Sequence, residues 1–481
     1  MKVVLINPPK VHQVWAGIPD LFNTQDIYLF PPLGIMYLSA YLKKYSGHQV
    51  ELLDCVADQL SSSQAAQKIN EMKPDAVGIT TLTHNLVDVF QLVQEIKALL
   101  PEIQVILGGP HTYVFPGQAV KLQGVDAVVK GEGEETLLEW LNCLESRGDK
   151  SQVAGVFYKE NGEIRENLSR PMLEDLNLLP FPDRKALIDK PYFTPVIREA
   201  TCATLISSRG CPFRCVFCST HKTFRQRSPL NIVDEIEEVV GNLGIREIYF
   251  IDDTFNATPR RVMEIAQEIL RRKLKFAWGF KASPATVTLE MLQMAKAAGC
   301  TKIHYGVETG TQEGLRALGK KATLAQTFSA FDLTRKAGIR SVAYMMMGCP
   351  FEKGKEQILK LKDFVLKLNP DFVVHSIFSP YPDAPVFQEG VEKGIFSADC
   401  WEKFIENPIR KYDLPTCWEE HLSKAELVDA LKDLHRGFYF NPGIILRTLL
   451  SVKSVQELKR ILLGGLSLLR FETLNPKDRR I

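Results

Sequence analysis

Short apolar runs alternate with helix-period segments along most of this chain, and that alternation limits the possible folds more than any other feature. In the first third the runs 2–6, 50–53, 76–79, 104–107 and 127–129 are separated by segments with helical spacing at 33–44, 64–72, 87–100, 116–122 and 134–144. Parallel strands need crossover connections, so the pattern argues a parallel sheet with helices on both faces. A second series begins at 203–206 and returns at 247–251, 276–279, 302–305, 342–346 and 372–378, with helices expected at 230–240, 260–271, 289–298, 325–337 and 355–368. That makes six β/α units, fewer than a full eight-stranded barrel. With 481 residues the chain exceeds one ordinary domain. The expected organisation is α/β: a doubly wound, flavodoxin-like domain over 1–148, a linker over 149–200, a partial (β/α)6 barrel over 201–395 and a mostly helical region over 396–481. The linker carries a hairpin-like piece at 153–164, turning at Asn161-Gly162, and a proline-rich run at Pro180-Phe181-Pro182.

After the first strand of the second series comes Gly210-Cys211-Pro212-Phe213-Arg214-Cys215-Val216-Phe217-Cys218. Three thiolates at Cys-x3-Cys-x2-Cys spacing, in a loop tightened by Gly210 and Pro212, suit a soft-metal site. A structural zinc needs a fourth ligand, and residues 219–230 offer only His221. An iron–sulfur cube held by three thiolates instead keeps one iron open. Three unrelated core cysteines are the remaining alternative. The other seven of the ten cysteines are scattered singly, which reads as reduced thiols and not as a disulfide framework.

Composition narrows the partners. Apolar residues make up 45% and charged residues 24%, and the net charge of +2 implies neither a polyanionic partner nor a nucleic-acid surface. The apolar run after Met1 is too short for a signal peptide, and no uncharged stretch reaches membrane-span length, so a cytoplasmic protein is expected.

In parallel β/α folds ligands sit at the carboxyl ends of the strands. The first series presents Asn7-Pro8-Pro9, Thr80-Thr81-Leu82-Thr83-His84, Gly108-Gly109-Pro110-His111 and Gly131-Glu132-Gly133-Glu134 there. Glycines admit close backbone approach and threonines supply hydroxyls, but no phosphate-loop or dinucleotide glycine motif is present. A ligand-free structural domain would explain the same strands. The second series ends in the cysteine loop, Asp252-Asp253, Lys281-Ala282-Ser283, Gly306-Val307-Glu308-Thr309-Gly310 and Gly348-Cys349-Pro350. Taken singly, the two aspartates could cap a helix and Glu308 could be a solvated loop acid.

The cysteine stretch resembles the signature of the radical S-adenosylmethionine (radical SAM) enzymes, in which the open iron of a 4Fe–4S cluster takes the amino and carboxylate groups of SAM. The resemblance implies Cys211, Cys215 and Cys218 as cluster ligands and Phe217 against adenine. It implies Asp252 and Asp253 near the SAM amino group, Glu308 and Thr309 around the ribose and carboxylate, Lys281 and Ser283 at the polar third strand end, and Gly348 near adenine. Cys349 stands where relatives carry an aliphatic residue and is read as a core or pocket thiol.

The preceding domain looks like the cobalamin-binding domain of the class that combines B12 with radical SAM chemistry. Pro31-Pro32-Leu33-Gly34, Gly78-Ile79-Thr80, Gly108-Gly109-Pro110-His111 and Lys130-Gly131-Glu132 carry that likeness. The cobalamin contacts it implies are Thr80, Thr81, Thr83, Gly108, Gly109, His111, Gly131 and Glu132. The Asp-x-His-x-x-Gly motif that supplies a cobalt-ligating histidine in related domains is absent, and His84 and His111 are read as loop or cofactor-contact residues.

The activity implied is reductive cleavage of SAM to a 5′-deoxyadenosyl radical, then methyl transfer through cobalamin to an unactivated carbon. Oxidative ring closure, as in the anaerobic cyclase of magnesium-porphyrin esters, is the alternative. A small-molecule substrate, hydrophobic on the likeness of the tail, and an external electron donor of flavodoxin or ferredoxin type are the expected partners. A tRNA methylthiotransferase would need three further cysteines in the first domain, where residues 1–150 hold only Cys55 and Cys143. A cobalamin or iron–sulfur sensor is the non-catalytic alternative. In the tail, Ser454 with Glu457 forms a capping-box signature before an apolar helix at 458–469, read as packing over the barrel mouth in preference to lying on a membrane.

Overall fold

The computed structural model describes residues 1–12, 14, 29–192, 202–408, 414–452 and 465. They fall into two compact units, one drawn from residues 1–15, 31–191 and 397–414 and the other from 16–30, 192–396 and 415–481.

The first unit is built on a seven-stranded sheet. Its strands are β1 (Lys2–Asn7), β2 (Gln49–Asp54), β3 (Ala76–Thr80), β4 (Gln104–Gly108), β5 (Ala127–Val129), β6 (Val156–Glu160) and β7 (Glu163–Glu166), in the order β2-β1-β3-β4-β5-β6-β7. The pairings through β5 are parallel. Val3, Val4, Leu5 and Ile6 of β1 are all buried, as expected of a central strand covered on both faces. The order reverses direction between β1 and β3, which opens a crevice at their carboxyl ends. The hairpin expected in the linker exists as β6–β7, and it continues this sheet by antiparallel pairing of β6 with β5.

The second unit contains β8 (Ala203–Leu205), β9 (Ser208–Arg209), β10 (Arg225–Gln226), β11 (Glu247–Phe250), β12 (Ala277–Ala282), β13 (Cys300–Glu308), β14 (Arg340–Met347) and β15 (Phe372–Ile377). Six of these form one parallel sheet in the order β15-β14-β13-β12-β11-β8, the partial barrel that the alternation predicts. Threonine caps at Thr258, Thr288, Thr311 and Thr323 start successive helices by accepting first-turn amides. Trp278 and Phe280, Ile303, Tyr305 and Val307, and Ala343, Met345 and Met347 pack into the apolar core beneath the helices. Strand alternation therefore turns Gly279 and Lys281, Lys302, His304, Gly306 and Glu308, and Tyr344 and Met346 to the concave face.

That face is polar at its deep end. Lys302 Nζ meets Glu247 Oε1 at 2.6 Å, with both side chains buried. Gly279 makes the pair possible, because a Cβ there would lie 2.5 Å from Lys302 Cγ.

The tail is divided between the units. Helix Cys400–Glu406 belongs to the first, where Gln118 Nε2 donates to Glu402 Oε1 at 3.1 Å. Helix Lys424–Tyr439 belongs to the second and is pinned to β15 by Tyr439, whose hydroxyl donates to the Val373 carbonyl at 2.6 Å. The capping box at Ser454 and the segment 458–469 lie outside the described residues. Among the described residues no helix is long and apolar enough to cross a membrane.

Candidate functional site

The cysteine loop leaves the carboxyl end of β8 and is closed by the two-residue β9–β10 ladder, which pairs Arg209 with Arg225 and Ser208 with Gln226. Gly210 adopts φ +78°, and a Cβ there would come within 2.2 Å of the Thr223 carbonyl, so the loop cannot close around another residue. Its return is fixed by the Cys211 amide donating to the His221 carbonyl at 2.9 Å.

Beneath the loop lies a buried polar floor. The Asp252 carboxylate, 1% exposed, accepts from the Ser207 amide at 3.1 Å, the Ser207 hydroxyl at 2.6 Å and the Ser208 hydroxyl. Arg261 Nη2 donates to both the carbonyl and the hydroxyl of Ser207 at 2.7 Å. Arg227 donates to the Ile206 carbonyl at 2.9 Å and pairs with buried Glu235. These contacts occupy Asp252 within the protein and leave its neighbour Asp253 facing outward. Burial and the charge of Asp252 raise the Asp253 carboxyl above its ordinary value, while the Lys281 ammonium opposes the shift. Thr220 reaches the same carboxylate at 3.4 Å.

All ten cysteines are free thiols, and Cys211 is the most enclosed of the three in the loop. Its Sγ lies 3.3 Å from Thr254 Oγ1, and the Cys218 Sγ accepts from the Thr220 amide at 3.4 Å. Burial pushes the Cys215 thiol up, and the Lys320 ammonium pulls it down. Among the described residues no three His, Cys, Asp or Glu side chains are gathered around one ion position. Three thiolates on one loop, each able to hold its own iron, are a donor set that fits a 4Fe–4S cube with its fourth iron open.

Glu308 ends β13 at φ +70°, after a register slip against β14 between Gly306 and Glu308. The slip turns its carboxylate back to Lys320, with Oε1 at 3.0 Å from Nζ and both side chains mostly buried. Gly306 makes room, since a Cβ there would sit 2.5 Å from that carboxylate oxygen. Lys320 is held beside the cysteines by the Val216 amide, which donates to the Leu318 carbonyl at 3.1 Å. Its ammonium is raised by Glu308 and by Cys215 and Cys211, against the cost of burial.

The other expected residues are buried or half-buried. Ser283 is buried and exchanges backbone hydrogen bonds with the Asn256 side chain at 2.8 and 2.9 Å, while its hydroxyl caps the following turn. Thr309 is 1% exposed and packs near Gly314. Gly348 takes φ +73° under helix Lys424–Tyr439, where a Cβ would lie 2.7 Å from Leu427. Phe217 is half-buried against Leu318, Cys349 and Trp418. Burial pushes the Cys349 thiol well up, in keeping with a core thiol. Sequence reading missed Lys320, Arg261, Asn256 and Thr220. Lys320 lies twelve positions beyond Glu308 across a helix, and only the adjacent Gly319 hinted at a tight turn there.

In the first unit the crevice between β1 and β3 brings Lys10 and His84 into electrostatic contact, and burial lowers both below their ordinary values, His84 to about 4. Asn7 Nδ2 donates to Asp54 Oδ1 at 2.7 Å. The loops after β3 and β4 are laced together: the His111 amide donates to the Thr81 carbonyl at 3.1 Å, and the His111 ring meets Thr83 Oγ1 at 3.1 Å. Gly109, at φ +107°, has no room for a Cβ, which would lie 3.0 Å from the Thr81 carbonyl. Thr81 is fully buried, and its hydroxyl donates to the Ile79 carbonyl. Thr80 flanks Gly109, and Gly108 accepts the Thr81 amide at 2.7 Å. Gly131, at φ +90°, faces open space, while Glu132 is turned to the Leu173 amide at 3.0 Å. His111 Nε2 is buried without a partner, and burial takes its pKa down to about 4. The neutral imidazoles, threonine hydroxyls and glycine backbone of these loops are the kind of donor set that a large polar cofactor with uncharged amide groups would need.

Comparison with known proteins agrees with this division. Residues 27–141 match the B12 binding domain family and residues 205–365 the radical SAM superfamily. The chain is 28% identical over 453 residues to an uncharacterized methyltransferase of Pyrococcus horikoshii, covering 93% of this chain and 94% of that one. It is also 28% identical over 458 residues to the anaerobic magnesium-protoporphyrin IX monomethyl ester cyclase of Rubrivivax gelatinosus, covering 92% of this chain and 78% of that one. Among solved structures, the radical SAM methyltransferase TsrM of Kitasatospora setae, with cobalamin and a 4Fe–4S cluster bound, superposes with a TM-score of 0.69 at 19% identity over 98% of this chain and 99% of that one. The cobalamin-dependent radical enzyme OxsB gives 0.70 at 19% identity over 98% of this chain and 72% of that one. In both domains and in their order, the chain is similar to the radical SAM enzymes that carry an N-terminal B12-binding domain.

Proposed function

We propose that the protein is a B12-dependent radical SAM methyltransferase that methylates an unactivated carbon of a small organic substrate. The observation that carries the reading is the three-cysteine loop at the end of β8, with the Glu308–Lys320 pair drawn against Cys215. When bound, a 4Fe–4S cluster on Cys211, Cys215 and Cys218 supplies the electron that opens the sulfonium of SAM, and cobalamin supplies a methyl carrier.

The chain's own residues then have separable duties. Asp252, Ser207 and Arg261 fix the loop. Asp253 accepts the SAM ammonium, with Thr220 and Lys281 holding its position. The Lys320 ammonium, held by Glu308, offers a donor to the SAM carboxylate, and Phe217 offers an apolar face to adenine. In the first unit Thr80, Thr83, Gly109, His111 and Gly131 line the cobalamin cradle, and the His111 ring is uncharged near neutral pH. An external flavodoxin- or ferredoxin-type donor supplies electrons, and the reducing cytoplasm is the compartment such thiolates require.

Oxidative cyclisation is the second reading, favoured by the likeness to the Rubrivivax cyclase over 92% of this chain. Anaerobic reconstitution with iron, sulfide and hydroxocobalamin, followed by separate assay of 5′-deoxyadenosine and S-adenosylhomocysteine, distinguishes the two. Both products support methyl transfer; 5′-deoxyadenosine alone supports cyclisation; neither product under reduction refutes the enzymatic reading.

A further inference from the structure

The concave face of the second unit holds a polar row that the SAM assignment does not use. His304 lies on β13 two residues before Gly306, which is about 6.6 Å deeper along the strand. Its Nδ1 is 2.8 Å from the Tyr344 hydroxyl of β14, and on the other side its ring centroid is 5.0 Å from that of Tyr249 on β11. The two strands are not neighbours; β12 runs between them, and Gly279, opposite Tyr249, carries no side chain, so the Lys302 side chain packs over it and the two rings meet across that strand. Phe30 stacks on the other face of this group, 6.1 Å from the Tyr249 ring.

One polar atom in the row lacks a partner: His304 Nε2 makes no hydrogen bond, although His304 is 6% exposed. The Tyr249 hydroxyl, on a residue 5% exposed, has Tyr344 as its side-chain partner. A buried polar atom left unpaired costs about 1–3 kcal/mol, and one set among two phenols marks an incomplete site. Burial and the charges of Lys302 and Lys281 hold His304 neutral, and burial keeps the Tyr249 phenol protonated. Neither group can balance a carboxylate or an ammonium. Each can bond an oxygen that carries no charge.

We propose that His304, Tyr249 and Tyr344 form a subsite for one neutral oxygen, a hydroxyl or carbonyl, of the substrate. The proposal rests on the reading of the neighbouring strand ends as the SAM site. It deepens that reading by naming the substrate class: an organic molecule with an uncharged oxygen near the carbon attacked, and not a plain hydrocarbon. A permanently bound water would satisfy the same atom, so the test separates the two sources.

The probe is 2-propanol, which carries a single hydroxyl. Crystals of the reconstituted protein are equilibrated with and without it, and the same is done with His304→Phe and Tyr249→Phe. The expected result is the alcohol oxygen within hydrogen-bond distance of His304 Nε2 and the Tyr249 hydroxyl in the wild type, and its loss in both variants; if one variant does not fold, the other decides. A water that stays in place in 2-propanol, or a protein group that occupies that position, overturns the proposal. Because occupancy is read without turnover, a wild type that releases no 5′-deoxyadenosine refutes the radical reading alone. An immovable water in an enzyme that does cleave SAM refutes the subsite alone.

Discussion

The strand ends of the two units differ in their chemistry. In the second unit they carry charge: Asp252 is enclosed by hydroxyl and amide donors, Asp253 is left outward beside Lys281, and Glu308 is folded back on Lys320. In the first unit they are largely neutral: threonine hydroxyls, glycines at positive φ, and His84 and His111 stripped of charge by burial. A compact ligand bearing ammonium, carboxylate and sulfonium groups is fixed by paired charges held rigidly. A broad cofactor face is fixed by backbone approach and neutral contacts. The contrast can be broken experimentally.

The largest effect falls on the cysteines. Cys215→Ala is expected to abolish 5′-deoxyadenosine formation and iron loading while leaving cobalamin retention intact, as read from bound iron and corrinoid absorbance. Loss of both cofactors together would erase the division. Next comes the floor of the loop. Asp252→Ala leaves the Ser207 and Ser208 donors buried without their acceptor and takes a negative charge from beside buried Arg261, and should cost about 3 kcal/mol in chemical denaturation. Asp253→Ala should cost under about 0.5 kcal/mol yet weaken SAM binding in equilibrium dialysis. If the two aspartates exchange these effects, the assignment of roles is wrong.

In the first unit Gly109→Ala forces a Cβ into the Thr81 carbonyl at φ +107°, which should cost about 2 kcal/mol and lower corrinoid content without changing iron content. The smallest predictions concern pH. Burial raises buried Glu352 to about 7, so the folded state holds a proton there that the unfolded chain has released, and stability falls between about pH 4.5 and 7. His111 is the reverse case: the unfolded chain gains a proton below about 6.5 that the folded ring refuses until about 4, so stability falls as pH drops through that window. Relative to wild type, Glu352→Gln should gain as pH rises and His111→Gln as pH falls, each by at most about 1.4 kcal/mol per pH unit. Thermal melts at pH 5 and 8 check the opposite signs.

The sequence made much of this architecture legible because strand and helix periods differ, and because three thiolates in eight positions have few other uses. The sheet order β2-β1-β3-β4-β5, the six parallel strands and the loop after β8 agree with that reading. What stayed hidden depends on contacts across strands. Nothing local separates Asp252 from Asp253; the Ser207 and Ser208 donors that enclose one of them lie 45 and 44 residues before it. Lys320 is an ordinary lysine until the slip at Gly306 turns Glu308 toward it. The meeting of His304 with Tyr249 depends on a glycine in the strand between them. The continuation of the linker hairpin into the first sheet was likewise unreadable, because antiparallel pairing at a sheet edge leaves no periodic mark beyond the hairpin itself.

The claim that Cys211, Cys215 and Cys218 present an open iron to SAM can be tested by electron paramagnetic resonance of the anaerobically reconstituted, dithionite-reduced protein with and without SAM. The account predicts a reduced 4Fe–4S signal whose g-values shift when SAM is added, with no such signal in Cys215→Ala. A cluster signal that SAM leaves unchanged, or one that survives in Cys215→Ala, would contradict it.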